Sequence, residues 1–506
     1  MSGAFTPEQA ALLRPYVTNV ERPIFALRNL PEEVVAVLFA YYSRSRDSLR
    51  ANLLRLIQDQ DLDLTERLAW AGADRDELAL ARRKAQEFHE KWVVGYGHAS
   101  VAEHAVVHLA LEDVSIVASK LVEDARLASF TEKSTRYVQF DAEKFYREPR
   151  LLASDHVARY EATCRFLLST YTRLTEPLVA SLRKELPRAA GQSERGHEAA
   201  CRAKACDVLR YILPAATLTN IGMTINGRAL EQWIRKLLSH PLAEAQAIGA
   251  AVKGEAREIL PTLIKYAEKN CYLTETPPAI EERAAALLAG VSPGECPSVV
   301  LVRFPEDAEE QLVAAILYGA AALPWSAVRA RVGTLGGSAR AAVIEEYLMR
   351  RGPHDAPLRA LEHLTYSFDI LVDFGAFRDI QRHRMLTQSP QESTAVHGHN
   401  TPPEIAHYDL GADYAECMAR AEEAFEAIRA DFPREAQYVL PLAFRKRVLF
   451  TWNLRELYHF VELRSGRQGH PSYREVAQQV FRELERVQPL LARYIRVDLA
   501  DYPLAR

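Results

Sequence analysis

The chain has 506 residues, too many for one ordinary core, so two domains or one large duplicated unit is expected. Hydrophobic residues make up 48% and aromatic residues 9%, which excludes a disordered chain. Lys plus Arg (63) nearly balances Asp plus Glu (67), so a nucleic-acid polymer is not an expected partner and only local basic sites remain. The six cysteines are too few for a disulfide framework at this length. The start, Met1 to Gln9, has no apolar secretion core, and Thr6 with Gln9 reads as a helix capping box. No apolar run is long enough to span a bilayer. A reduced, soluble, cytoplasmic protein with no membrane partner is the expectation.

In chain order, a helix is predicted around Pro31 to Tyr42 and another around Asp76 to Trp92. Gly95-Tyr-Gly-His98, a strand-like run from Ala105 to Leu111 and a helix to Arg126 follow. Long helices are expected over Asp155 to Leu186 and Glu194 to Tyr211. Between Cys271 and Pro297, Thr-Pro-Pro and Val-Ser-Pro-Gly bracket a short helical stretch, Ile280 to Ala289, and mark a linker. A strand at Val299 to Phe304 opens the second part, with helices at Ala308 to Ala322 and Ala339 to Met349. Next come a strand at Leu364 to Leu371, a helix to Arg384 and a helix from Ala412 to Phe432. Strands and long helices without βαβ regularity predict an α+β fold.

The two parts repeat one order of landmarks. Tyr211-Ile-Leu-Pro-Ala-Ala matches Tyr438-Val-Leu-Pro-Leu-Ala, and twelve residues after each proline stands an asparagine, Asn226 or Asn453. Ala102-Glu-His104 likewise matches Leu361-Glu-His363. From each histidine to Arg126 or Arg384 is 22 or 21 residues. Two anchors in one order at nearly equal spacing make tandem duplication the better reading. The expected boundaries are 1–270 and 298–506, joined by a linker over 271–297.

Several residues invite chemistry. In Asn453 to Arg464, Asn453 is a good N-cap. Leu457, Phe460, Val461 and Arg464 share one stripe, with Arg455, His459 and Glu462 opposite. An arginine on an apolar stripe is either snorkelling at a helix end or aimed at an anion. The first copy has Leu237 in that place. Arg382-His383-Arg384 is expected at a helix C-terminus, where cations are favoured and a solvated basic end is the bland reading. Ser134-Thr-Arg136 is weak in isolation. His197, Cys201 and Cys206 lack a fourth ligand at zinc-like spacing and read as packing groups in a helix. His397-Gly-His399 reads as a loop, and Gly333 to Ser338 is glycine-rich without a phosphate loop's lysine. No metal site is expected.

At this point the chain resembles a tandem fusion of two flavin-dependent thymidylate synthase domains, a family with the signature R-H-R-x7-S-x-R. Gly97 to His104 resembles a segment that precedes it there. The first copy offers Asp124-Ala-Arg126, seven residues, then Ser134-Thr-Arg136, with Glu132 at the family's acidic position. The second keeps Arg382-His383-Arg384, but Glu392-Ser-Thr394 stands where S-x-R belongs. Its closing segment keeps Asn453, Arg455, Phe460 and Arg464, with His459 replacing an asparagine.

The resemblance implies FAD as cofactor and dUMP, methylenetetrahydrofolate and NADPH as partners, with reductive methylation to dTMP and no protein nucleophile. It implies that Ser134, Arg136 and Arg464 bind dUMP, and that Arg382, His383, Arg384, Glu132, His104, His363 and His459 serve the flavin. Each copy has lost what the other keeps, so sites combined from both copies are expected. The assembly would be a homodimer forming a pseudo-tetramer, or a monomeric pseudo-dimer. A flavin- or nucleotide-binding homologue without this reaction, or a scaffold using the fold alone, are the competing readings.

Overall fold

The computed structural model of the chain describes residues 5–42, 45–58, 100–188, 190–292, 294 and 296–502. The expected helix over Asp76 to Trp92 and the Gly95 to His98 segment lie outside the described residues. Among the described residues there are seven strands: β1 Val106–Ser115, β2 Ala128–Glu132, β3 Leu218–Asn226, β4 Val299–Arg303, β5 Thr365–Asp373, β6 Thr387–Pro390 and β7 Arg445–Asn453. They form a three-stranded sheet ordered β1-β3-β2 and a four-stranded sheet ordered β4-β5-β7-β6. With long helices beside small sheets, the fold is α+β.

The chain divides into two compact units. The first is Met1–Glu112, Leu127–Glu132 and Asn220–Ala289. Its N-terminal helices, Pro7–Leu13, Glu32–Tyr42 and Leu49–Gln58, close over Leu13, Val17, Leu38, Leu53 and Ile57. Thr6 and Gln9 form the capping box expected of them. The helix predicted after Pro277-Pro278 begins before them, at Cys271, and runs to Leu287. Asn270 starts it by accepting from the Leu273 amide, and none of its residues is buried.

The second unit is Asp113–Arg126, Lys133–Thr219 and Gly290–Arg506, so it contains stretches of both copies. Within it the two Tyr-x-Leu-Pro anchors pair about a local two-fold. Ala215 N donates to Leu440 O (2.8 Å) and Leu442 N to Leu213 O (2.9 Å). Ala216 N donates to Tyr438 O (2.9 Å) and Ala443 N to Tyr211 O (3.2 Å). Such reciprocity, in which i meets j and the equivalent of j meets the equivalent of i, is the geometry of a symmetric dimer interface.

The copies share smaller details. Ile116 N bonds to Thr217 O (3.0 Å), as Phe374 N bonds to Phe444 O (3.0 Å). The Tyr160 hydroxyl donates to Tyr146 O, and the Tyr414 hydroxyl to Asn400 O. Asn226 and Asn453 each end a strand and cap the next helix, accepting from Ala229 N and Glu456 N at 2.9 Å. His104 and His363 each close a 3-10 turn just before β1 or β5. The duplication is therefore a property of the fold as well as of the sequence.

Two local expectations need correction. The helix before Arg382 is Phe374–Ile380, so Arg382-His383-Arg384 lie in the turn beyond it. The chain must reverse there to enter β6 at Thr387, beside β7. Gly333 to Ser338 is a loop over half its length, 334–336, between the helices Trp325–Gly333 and Gly337–Leu348. In β7 the alternate residues Lys446, Val448, Phe450 and Trp452 are buried. Trp452 stacks on Phe450 (5.1 Å) and on Phe460 (5.1 Å), which seats the helix Leu454–Arg464 on the sheet.

Candidate functional site

Arg136 lies just after Ser134, whose hydroxyl accepts from the Arg136 amide (3.2 Å) and fixes the turn. Its guanidinium grips Asp207 in a two-point ion pair, Nε to Oδ1 2.7 Å and Nη2 to Oδ2 3.0 Å. Nη1 donates to the Tyr473 hydroxyl (3.1 Å) and Nη2 to Gln468 O (3.3 Å). Burial works against the charge, yet Asp207, Tyr473 and Asp379 hold the Arg136 pKa above its ordinary value. Arg464 approaches the same tyrosine, its Cζ 5.3 Å from the ring centre, against 6.0 Å for Arg136. Arginines from unlike copies thus converge on Tyr473, inside one compact unit.

Asp379, in the helix Phe374–Ile380, is the hub beneath them. Burial would raise its pKa, but Arg210, Arg382, Arg464 and Arg136 together hold it below the usual carboxylate range. Arg210 is 2% exposed and touches Asp379 through Nη1 at 3.4 Å. Its Nε and Nη2 make no hydrogen bond among the described residues. The Gly375 backbone packs close against them, since a Cβ there would stand 3.1 Å from Asp373 Oδ1 and 3.4 Å from each nitrogen. Arg378, also buried, donates to Thr135 Oγ1 at 3.3 Å. The five guanidiniums tied together here (136, 210, 378, 382, 464) outnumber the neighbouring carboxylates Asp207, Asp373, Asp379 and Glu456. A cationic surplus suits an anion.

His383 is buried, with Nδ1 2.9 Å from Glu456 Oε1 and Nε2 2.9 Å from Arg464 Nε. Arg382 beside it is exposed and Arg384 half-buried. His459 is exposed, its ring centre 5.3 Å from that of His383. His363 is exposed at the foot of β5. Glu132 and His104 belong to the first unit, Glu132 buried at the end of β2 and His104 stacked on Phe39 at 4.4 Å. Ser134, Arg136, Arg382, His383 and Arg464 are therefore gathered in the second unit.

Asp207 also lines a cavity of about 240 Å³ with His470, Ser472 and the buried Lys204–Glu404 pair (2.6 Å). His470 is fully enclosed, and burial, with Arg210 and Arg136 nearby, drives its pKa well below the ordinary value. Behind this wall Asp373 accepts from Asn400 (3.0 Å) and Ser472, and burial raises its pKa. Cys201 and Cys206 are buried in the helix Glu194–Leu209, with the Cys201 thiol 3.8 Å from His197.

Sequence reasoning did not single out Asp207, Arg210, Asp379, Glu456 or Tyr473. Arg210 had a signal. It stands immediately before one Tyr-x-Leu-Pro anchor, where the other copy has Gln437.

The family model for thymidylate synthase complementing protein (Thy1) matches residues 41–262 and again 301–490. A UPF0159 protein of Chlamydia pneumoniae is 35% identical over 99% of this chain and 97% of its own length. A flavin-dependent thymidylate synthase of Sulfolobus acidocaldarius is 27% identical over 38% of this chain and 70% of its own. Among solved structures, the flavin-dependent thymidylate synthase ThyX of Helicobacter pylori, complexed with FAD and dUMP, matches 40% of this chain and all of its own. The identity is 18% and the TM-score 0.30. No helix among the described residues is long and apolar enough to cross a membrane.

Proposed function

The chain belongs to the thymidylate synthase complementing protein family, and from that premise we propose that it is an FAD-dependent thymidylate synthase. In this reading it methylates dUMP to dTMP with methylenetetrahydrofolate and NADPH, in sites combined from two copies spanning 1–270 and 298–506. The observation that carries the reading is the meeting of Arg136 and Arg464 at Tyr473, above an Asp379 ringed by arginines. A family relative named as a flavin-dependent thymidylate synthase supports it.

The residues fit an anionic nucleotide. Arg210 offers two buried donors that make no hydrogen bond among the described residues. Arg136 and Arg464 add fixed, charged donors around it. Arg382 and Arg384, at a basic turn, fit the diphosphate of FAD as partial counter-charges. When bound and reduced by NADPH, the flavin would supply the hydride that completes the methyl group. What the protein itself contributes is position and electrostatics: Arg136, Arg210 and Arg464 hold the nucleotide, and burial strengthens each contact by excluding water. No side chain is required as a nucleophile.

The assembly in this reading is a homodimer with pseudo-tetrameric symmetry, or a single chain acting as its own dimer. The test is purified protein supplied with FAD, NADPH, methylenetetrahydrofolate and dUMP, with dTMP measured as product. Formation of dTMP, lost in Arg464→Ala, is the expected result. Binding of dUMP without turnover would leave a nucleotide-binding homologue instead. Neither binding nor turnover would leave a scaffold.

A further inference from the structure

The helix Leu454–Arg464 carries Glu456, Phe460 and Arg464 at i, i+4 and i+8, so the three stand along one face. Phe460 is fully buried, and the His383 ring meets it edge-on at 5.2 Å and 82°. From that seat the imidazole spans two helical turns, reaching Glu456 Oε1 through Nδ1 and Arg464 Nε through Nε2, each at 2.9 Å. An arginine Nε always bears a proton, so it donates and His383 Nε2 must accept. The single ring proton is then on Nδ1, donated to the Glu456 carboxylate. Burial depresses the His383 pKa, Glu456 opposes this, and Arg464 and His459 add to it, in keeping with a neutral ring.

Two further observations give this row a purpose. Both His383 nitrogens are used inside the protein and the residue is only 4% exposed, so neither is turned toward a cofactor, the role its resemblance implied. In the first copy the corresponding residues are Ala125, Ala229, Trp233 and Leu237, an apolar set in which every polar member is gone. Glutamate, histidine and arginine are present together in one copy and absent together in the other. A glutamate present only to stabilise its helix start would not need to track the arginine two turns away.

We propose that Glu456 is a positioning residue: by holding His383 as the Nδ1–H tautomer it gives Arg464 Nε a fixed acceptor and aims the guanidinium at the nucleotide anion. This rests on the reading of the site as a dUMP site. Asn453 anchors the Glu456 end, its side chain accepting from the Glu456 amide (2.9 Å), and the Tyr473 ring stands 5.3 Å from Arg464. The relay therefore has a rigid origin and a confined output. Losing Glu456 frees the ring to present an Nε2 proton to Arg464, which repels the guanidinium it should hold.

The experiment combines dUMP titration calorimetry with the ¹⁵N shifts of His383 in the ligand-free protein. Glu456→Leu is expected to weaken dUMP binding about tenfold, the scale of one charge-assisted hydrogen bond. On an Arg464→Ala background the same change should add less than about twofold, because its route of action is gone. His383→Gln should stay within about threefold of the parent, since an amide offers the same donor to Glu456 and acceptor to Arg464. His383→Leu should lose as much as Glu456→Leu. Additive losses from Glu456→Leu and Arg464→Ala would overturn the proposal, as would an Nε2-protonated or doubly protonated ring near neutral pH. The ¹⁵N measurement needs no variant, so a misfolded mutant cannot shelter the idea. An Nδ1–H ring in a protein that ignores dUMP would uphold the relay and bring down only the dUMP reading.

Discussion

Replacing Arg210 with methionine should make the ligand-free protein more stable and its nucleotide binding worse. Arg210 is 2% exposed, two of its nitrogens make no hydrogen bond among the described residues, and its contact to Asp379 is long at 3.4 Å. Each unsatisfied buried donor costs about 1–3 kcal/mol. Methionine fills much of the same volume without orphaned polar atoms, and Asp379 keeps Arg136, Arg382 and Arg464 as neighbouring charges. After subtracting the weakened interactions with Asp379 and Asp373, a net gain of about 1 kcal/mol is expected. Two donors to a phosphate oxygen would vanish with the side chain, so dUMP affinity should fall by about 10- to 100-fold. Urea unfolding without ligand, followed by a probe in the second unit, reads the first effect, and calorimetry reads the second. A stability loss above about 2 kcal/mol with unchanged dUMP affinity would make Arg210 a structural counter-charge of Asp379 and remove it from the site.

Arg136→Ala and Arg464→Ala should each weaken dUMP binding by about 1.5–3 kcal/mol. Only Arg136→Ala should also destabilise the fold by about 3–5 kcal/mol, because it strands the buried Asp207 carboxylate. Leu237→Ala, at the first copy's counterpart of Arg464, should cost about 2–4 kcal/mol of stability and leave dUMP affinity alone. Equal binding losses in all three would dissolve the division of labour. Burial depresses the pKa of His383, His397, His399 and His470, so below about pH 6.5 the unfolded chain takes up protons that the folded chain refuses. Denaturant midpoints should therefore fall between about pH 7 and pH 5.5, by up to about 1.4 kcal/mol per pH unit for each histidine that stays neutral; flat midpoints would contradict this. Lys446 is buried against Phe374 and Phe377, and burial lowers its pKa to about 8. Lys446→Met should raise stability near neutral pH by about 1–3 kcal/mol and abolish the parent's gain in stability between about pH 8 and 10.5, measured the same way.

The duplication was legible because it is written in residues with obligatory backbone roles. Asn226 and Asn453 are caps, and Pro214 and Pro441 sit where the copies meet in an antiparallel bridge. Substituting them disturbs local geometry, so their spacing outlasts side-chain drift. The strands were harder to read. In β7, Lys446 occupies an inward position and Arg445 and Arg447 flank it, so the apolar alternation begins only at Val448. Arg136 and Arg464 could be singled out from sequence, but Asp207, Asp379 and Tyr473 could not. Their importance is that they meet: 71 residues separate Arg136 from Asp207, and 337 separate it from Tyr473. His383 shows the opposite limit. The motif singles the residue out, whereas its burial and its two hydrogen bonds inside the protein were not legible in the sequence.

The differences between the copies follow a physical direction. Arg464, His383, Glu456, Asp379 and Arg210 have Leu237, Ala125, Ala229, Leu121 and Gln437 as counterparts, four apolar residues and one neutral amide. A buried charge is costly unless it has a partner or a ligand, so a copy with no anion to hold gains stability by shedding the whole set. Shedding part of it would be worse, since one removed partner leaves the other charge stranded. The S-x-R end differs in another way. Glu392 and Arg434 replace Ser134 and Asp207 and pair with each other at 3.1 Å, while Thr394 replaces Arg136. There the ion pair has been rebuilt with its polarity reversed, and no arginine stands in the place of Arg136. In the proposed site these exchanges would leave one anion-holding set per chain, with Arg136 and Arg210 from the first copy and Arg382 and Arg464 from the second.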